Sequence, residues 1–550
     1  MLLHACVSLV LSCASICSKD NSFIVWFAVC LCVWLVRIFE TDRCIPEWPD
    51  HLLTRSICWA TLCLVRCVIV EKIVGGLSHV FMRLLKLFDS LTGGILLPGD
   101  DEPFMFCAVF AGVLADLVGH QSLTAWKGPN ALRACVCCSN LNTKRSRAIS
   151  GSEVSLLDHD ERLFLEATDE EVFLIIDNIA LLVEQGIGAT QLSALETEVG
   201  FNHEPRGILA DKAMRIKYSP TKHQLADWMH TFCQDGVASS EIAALLSCLS
   251  NRHEPPITNA MVQTFLEQCT LPKDEGKVEG KWVEPKRLRG GSLTAFSSMI
   301  VTLVPCIALL LRVYNVAEQL PEEVECFLML DSIFGILTSG PRRSMQFLDR
   351  LQQLVIEHHR LFAKLYPRFV KPKLHHTHHI VSSMRHLGFL LACFVTERKH
   401  KMVNRFALHT FRNFEHTTLL DVLHQQCEYL SSGHDVFASE LLLNPKTIDG
   451  YNGLTTSKAA VCHVGQVHSK DVVCTRGGVV AQVESCWKNE GGPVYVRAAL
   501  LPCVEDDCTT RYVPSENMVL VGASEIVGVC VWCYIRPNII KVRLPPTVVL

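Results

Sequence analysis

The chain has no Walker phosphate loop, no GxSxG nucleophile elbow and no HExxH zinc pair, so P-loop, α/β-hydrolase and zincin chemistry have no anchor in it. It shows no internal repeat and no low-complexity tract, which excludes solenoids and repeat arrays. Charge is scarce: 19% of residues are Asp, Glu, Lys or Arg, and the formal net charge is −5. Such a chain exerts no global attraction on nucleic acid, so any contact of that kind must use local basic patches. The amino terminus also lacks a basic n-region, although the apolar run at 7–16 otherwise has the look of a signal peptide.

What is present is a hydrophobic globular composition. The 550 residues, 49% of them apolar, suffice for several domains with their own cores. The 27 cysteines are scattered and many lie inside apolar runs, where cysteine behaves as a small hydrophobe; a reducing compartment fits better than a disulfide scaffold. Residues 23–39 are almost wholly apolar, and 57–74 are similar but carry Arg66 and Glu71. Read literally they are one or two membrane helices; the alternatives are a buried core or a hydrophobic helical extension at 1–95 outside any folded domain. The apolar run at 294–314 is divided by Pro305 and closed by Arg312, and reads as a buried helix.

Further along, FMFCAVFAGVLADL at 104–117 reads as a strand, so 96–150 holds core strands and a CxxC. Residues 151–366 read as mainly helical, with Thr168 and Asp169 as caps and Gly186 as a stop for one helix, and MQFLDRLQQLVIEHHRLFAKLY as a strongly amphipathic one. A further helix carries Glu397 within 367–432. From 461 to 550 alternating Val-rich runs separated by Gly and Asp turns read as a small β domain, a barrel.

Four separated pieces carry candidate chemistry. Asp116 closes the apolar strand, where a carboxylate is held on a rigid edge. Cys135 and Cys138 have the spacing of two zinc thiolates, half of a tetrahedral site. In KPKLHHTHHI, His375 and His379 share a face if the segment is helical; a polar surface turn is the alternative. Glu397 lies in TERKHK, where Arg398, Lys399 and Lys401 are candidate phosphate contacts, and Asp227 and His230 stand three apart in DWMH. Other basic groups are Lys281, Lys286, Arg287 and Arg289, and Arg368, Lys371 and Lys373. An ordinary solvated face explains each of them equally well.

The order of VLADL, AWKG, ACVCC, GFNHEPRGIL, DWMH, KPKLHHTHH and CFVTERKHK resembles transposases of the CACTA type, and most closely the divergent transposon-derived proteins of some protist genomes. The resemblance covers roughly residues 100–430. It implies a nuclear, DNA-binding protein, with an RNase H-like core interrupted by a large, mostly helical insertion and with homo-oligomers as a further expectation. It also implies strand cleavage and transfer by two Mg or Mn ions on three carboxylates. Asp116 matches the second of these and Glu397 the third, while Asp227 and His230 match the family's D-x-x-H signature. By similarity to the related V(D)J recombinase, Cys135, Cys138, His375 and His379 would hold a structural zinc, with His376 and His378 as register alternatives. The first carboxylate has no convincing counterpart; Asp42, Asp50 and Asp89 are the candidates. The expectation is therefore a degenerate transposase without activity, and a membrane-anchored zinc-binding protein is the alternative. The β domain faintly resembles the bromo-adjacent homology modules of chromatin readers.

Overall fold

The structure, a computed structural model, describes residues 4–15, 24–36, 60–66 and 70–545, apart from 71, 93–94, 98–103, 143–154, 159, 411, 432–439, 449, 452, 505–510 and 537–538. The chain forms two compact units. The first comprises 1–48, 52–230 and 371–436, and the second 49–51, 231–370 and 437–550.

The first unit is built on one sheet. β1 (His4–Ser15), β2 (Ile24–Val36) and β3 (Ala60–Arg66) form an antiparallel meander. β4 (Ile95–Leu97) and β5 (Phe104–Ala115) follow, and β5 lies parallel to β1 with Cys13 level with Ala115. The order is β3-β2-β1-β5-β4, and β6 (Gln224–Leu225) pairs parallel with the end of β5. The amino-terminal runs are therefore strands of a domain sheet, which corrects the expectation of membrane helices or a helical extension. Continuous apolar runs carry no alternation, and over a dozen residues such a run has the composition of a helix. Asp42 and Asp50 lie outside the described residues.

β5 is buried on both faces. Val113 and Ala115 join one core with Phe81, Leu123, Trp126, Val172 and Ile176. Leu114 faces the other way, into a core with Leu225, Met229, Phe389, Cys393 and Val395. The pairing of β1 with β5 slips by one residue between Leu9 and Val10. Gly112 stands at this bulge with φ +155°, and a Cβ there would meet Leu225 Cγ at 2.9 Å, so only glycine lets β6 approach.

Around the sheet lie α1 (Gly76–Thr92), α2 (Leu117–Thr124), α3 (Asp169–Glu184) and α4 (Ala189–Val199). α3 begins with the expected cap, extended to a full capping box: Glu171 N–H donates to Thr168 Oγ1 at 3.2 Å and Thr168 N–H donates to Glu171 Oε2 at 3.1 Å. Val172, Ile176 and Ile179 share the core of β5. α3, α4 and β6 thus belong to the sheet-bearing unit and not to one helical insertion running from 151 to 366. Two residues of β6 were too few to give a strand signal.

The second unit begins with α5 (Val237–Arg252), α6 (Asn259–Gln268), α7 (Ser297–Val313), α8 (Pro321–Leu337) and α9 (Leu348–Leu365). α7 is the run containing Pro305, and it is buried along most of its length from Ile300 to Leu311. Among the described residues no helix is long and apolar enough to cross a membrane. α9 buries Leu351, Leu354, Val355 and Phe362 and ends before Pro367.

The chain then returns to the first unit with α10 (Pro372–His376), α11 (His378–Leu387), α12 (Phe394–Ala407) and α13 (Phe414–Ser431). Val403 of α12 and Val422 of α13 meet in a small core, and α13 packs along β3. Asp89, the remaining candidate first carboxylate, sits on helix α1 and not on a strand.

The β region of the second unit starts at 441, earlier than the expected 461. β7 (Leu441–Leu443), β10 (Ala459–Cys462) and β11 (Gly465–His468) form one sheet. The other runs β15 (Arg511–Tyr512), β18 (Ile539–Arg543), β17 (Ile526–Arg536), β12 (Val472–Thr475), β13 (Val480–Asn489), β14 (Val494–Leu500) and β16 (Met518–Gly522). β8 (Lys446–Thr447) and β9 (Leu454–Ser457) attach to β13. In β14, Val494, Val496 and Ala498 are buried and Tyr495 and Arg497 exposed, the alternation expected of a half-buried strand. The path stays open: among the described residues no pair links β15 to β16 and closes a barrel.

Candidate metal centre and carboxylate cluster

The loop after α2 carries Cys135 and Cys138, and α10 and α11 carry His375 and His379. The helical turn continues through Thr377 (φ −65°, ψ −29°), so the two histidines share a face as their spacing required. The donor atoms of all four residues lie within 4.8 Å of one another. His379 Nε2 is 3.2 Å from Cys135 Sγ, 3.6 Å from Cys138 Sγ and 3.0 Å from His375 Nε2. One ring nitrogen carries at most one proton, so these three contacts cannot all be hydrogen bonds donated by it. They match the corners of a zinc tetrahedron instead: bonds of about 2.3 Å to sulfur and about 2.0 Å to nitrogen give edges of roughly 3.6 Å and 3.3 Å. The two expected histidines are the ones that converge. His376 turns away to meet Trp126 edge-on at 5.8 Å, and His378 Nδ1 lies 3.4 Å from Glu161.

The surroundings hold this set in place. Phe164 stands edge-on to His375 at 4.5 Å, and the strand-like bonds Ser139 N–H to Leu165 O and Ala167 N–H to Cys137 O fix the cysteine loop. Gly200 closes α4 at φ +86° with its α-carbon against the Arg133 carbonyl, where a side chain has no room. Burial opposes the Cys135 thiolate, but hydrogen bonds from Cys137 and Cys138 and the charge of His379 and His375 hold this thiol well below the ordinary range. Buried Arg133 adds positive potential beside the thiols. The site suits a cation that prefers thiolate and imidazole, and a zinc ion bound there would tie the loop to both helices.

The acidic group lies in the same unit but differs in character. Asp116 follows β5 and caps α2, its Oδ1 accepting from Gly119 N–H at 2.6 Å. Asp227 follows β6, which runs beside β5, and is 3% exposed. Both its oxygens are taken: Oδ1 accepts from Cys393 N–H at 2.9 Å and Met229 N–H at 3.4 Å. Oδ2 accepts from His230 N–H at 3.1 Å and from the His230 ring Nδ1–H at 2.5 Å. The opposite edge of that ring, Nε2, lies 3.9 Å from Glu397 Oε1 on α12.

His230 is thus the centre of the group. Burial disfavours its charge, yet Asp227, Asp116 and Glu397 together raise its pKa above the ordinary imidazole value. Burial likewise disfavours a charged Asp227, but the hydrogen bonds from His230 and Cys393 hold it below the carboxylate norm. Asp116 and Glu397 are both pushed up, first by burial and then by their acidic neighbours, with His230 pulling the other way. The arrangement is a hydrogen-bonded Asp227–His230 pair with Glu397 at the far edge of the ring and Asp116 within electrostatic reach. Both Asp227 oxygens already accept hydrogen bonds, whereas Asp116 uses one oxygen to cap α2.

Of the basic residues beside Glu397, Arg398 and Lys401 are exposed, whereas Lys399 is 1% exposed and presents no charge to solvent. This corrects its assignment as a phosphate contact. Helical periodicity explains it, since Lys399 falls on the same inward stripe as Val395 and Val403. In the second unit Lys281 pairs with Glu279, and Lys286 with Glu284 at 2.6 Å, so that loop is largely neutralised. Cys393, whose backbone N–H holds Asp227, and Lys373, within electrostatic reach of Asp116, lie in motifs the sequence singled out, but their roles beside these carboxylates were not legible there. No protein-family model matches the chain, and no curated protein matches it.

Proposed function

We propose that the first unit is an RNase H-like core of CACTA-type transposase descent, which binds DNA but no longer cuts it. The observation that carries the reading is that Glu397 lies 3.9 Å from His230 with Asp116 within electrostatic reach of both, although Asp116 follows a strand and Glu397 lies on a helix after the whole helical part of the second unit. The sheet supports it: an antiparallel β3-β2-β1 extended by parallel β5 and β6 is the strand order such a core would have. The Cys135, Cys138, His375 and His379 set is the zinc staple that the resemblance implies.

Loss of cleavage follows from β1. Its last residue paired with β5, Cys13, lies level with Ala115, next to Asp116, and the strand carries no acidic residue to supply a ligand. In place of a cation bridging three carboxylates, the His230 ring stands among the acidic side chains, which favour its protonated form. DNA would then be held by Arg398, Lys401 and Arg405, exposed along α12. The test is fluorescence anisotropy of a labelled duplex with the full chain across a salt series. Affinity falling linearly on a log–log plot supports the reading; absence of binding at low salt refutes it.

A further inference from the structure

Three helices of the second unit each bring one metal-binding side chain to a single point. Glu241 comes from α5, Cys326 from α8 and His358 from α9, and their donor atoms lie within 4.8 Å of one another. All three residues are 0% exposed. His358 Nε2 and Glu241 Oε2 are 2.6 Å apart, but the second carboxylate oxygen, Oε1, and the second ring nitrogen, Nδ1, have no hydrogen-bond partner. The same helices otherwise bury Leu245, Phe327, Leu330 and Phe362.

This is a costly arrangement for packing alone. A buried polar atom left without a partner destabilises the fold, and well-packed apolar residues commonly do as well as or better than a buried ion pair. Thiol, imidazole and carboxylate are, however, the donors that zinc-class ions take. They also come from three separate helices, which is how helical bundles build sites in their interiors.

We propose that Glu241, Cys326 and His358 hold a second metal ion of the zinc class, distinct from the Cys135–His379 set. Three protein ligands leave a fourth position, as in zinc sites that keep a water or a small ligand. A cavity of about 550 Å³ in this unit is lined by Cys248, Tyr366 and Phe369. The Tyr366 hydroxyl is buried without a hydrogen-bond partner, and Tyr366 is within electrostatic reach of Glu241 and Cys326. Binding displaces the Cys326 thiol proton and the proton shared by Glu241 and His358, and both leave to solvent.

The test needs no knowledge of function. The metal-free full chain is titrated with Co²⁺ while its thiolate-to-metal absorption is followed. The expected end point is two equivalents in the unaltered chain, and one in the Cys135→Ser/His379→Ala variant. In that variant the remaining band carries a single thiolate and disappears on adding Cys326→Ser. An end point at one equivalent in the unaltered chain overturns the proposal without recourse to any variant. A second equivalent that is indifferent to Cys326→Ser overturns it equally.

Discussion

The two clusters of the first unit are built from the same kinds of residue yet answer opposite questions. Around His379, three donor atoms lie 3.0–3.6 Å from one ring nitrogen, more contacts than its single proton or lone pair can serve, which is the arrangement a cation completes. Around Asp227, both oxygens already accept N–H groups, and the surrounding carboxylates favour a protonated His230. Convergence of ligand-type side chains therefore does not by itself make a metal site. What distinguishes the two is whether the donor atoms are still available.

The sharpest way to separate them is to remove a donor from each. Cys135→Ser or His379→Ala should abolish one equivalent of bound zinc and cause the largest loss of stability. Structural zinc sites contribute about 10–16 kcal/mol of apparent binding energy at neutral pH; metal analysis and calorimetric melting of the same preparations check both effects. Asp227→Asn should leave zinc content unchanged and cost about 3–5 kcal/mol, the penalty for leaving a buried charge such as that of His230 without its partner. Denaturant unfolding measures it. If Asp227→Asn releases metal instead, the contrast between the clusters is wrong.

A smaller effect concerns protons. His120 of α2 is buried against the Leu225 carbonyl, its Nε2 3.2 Å from that oxygen, and burial lowers its pKa to about 4. Between the ordinary imidazole value and about 4 the unfolded chain binds this proton and the folded chain does not, so stability falls as pH falls through that window. The shift to about 4 corresponds to roughly 3 kcal/mol at most, at about 1.4 kcal/mol per unit. His120→Gln should flatten the unfolding free energy between about pH 6.5 and pH 4 by about that amount. Smallest of all, Arg398→Ala and Lys401→Ala should each lower the slope of log affinity against log salt by about one for DNA. Lys399→Met, at a buried position, should leave that slope unchanged.

How far these features could be read from the residues varies with the distance over which they act. The cysteine and histidine spacings are local, and a helical turn or a tight loop converts them into geometry without help from the rest of the fold; the choice of His375 and His379 over their neighbours was legible for that reason. The Thr168 cap and the β5 strand were legible on the same grounds. The amino-terminal strands were not, because a continuous apolar run carries no alternation to mark a strand. The two-residue β6 was too short to have a period. That Asp227 is consumed by a backbone N–H of Cys393 depends on a contact across 166 residues, and nothing local records it.

The most direct test of the central claim is a single gel in which labelled duplex DNA is incubated with the full chain and Mn²⁺ at low salt. The account predicts a retarded band of intact DNA, unchanged by Asp116→Asn. Cut DNA that is lost on Asp116→Asn would show that the acidic cluster holds working metal ions, and would contradict it.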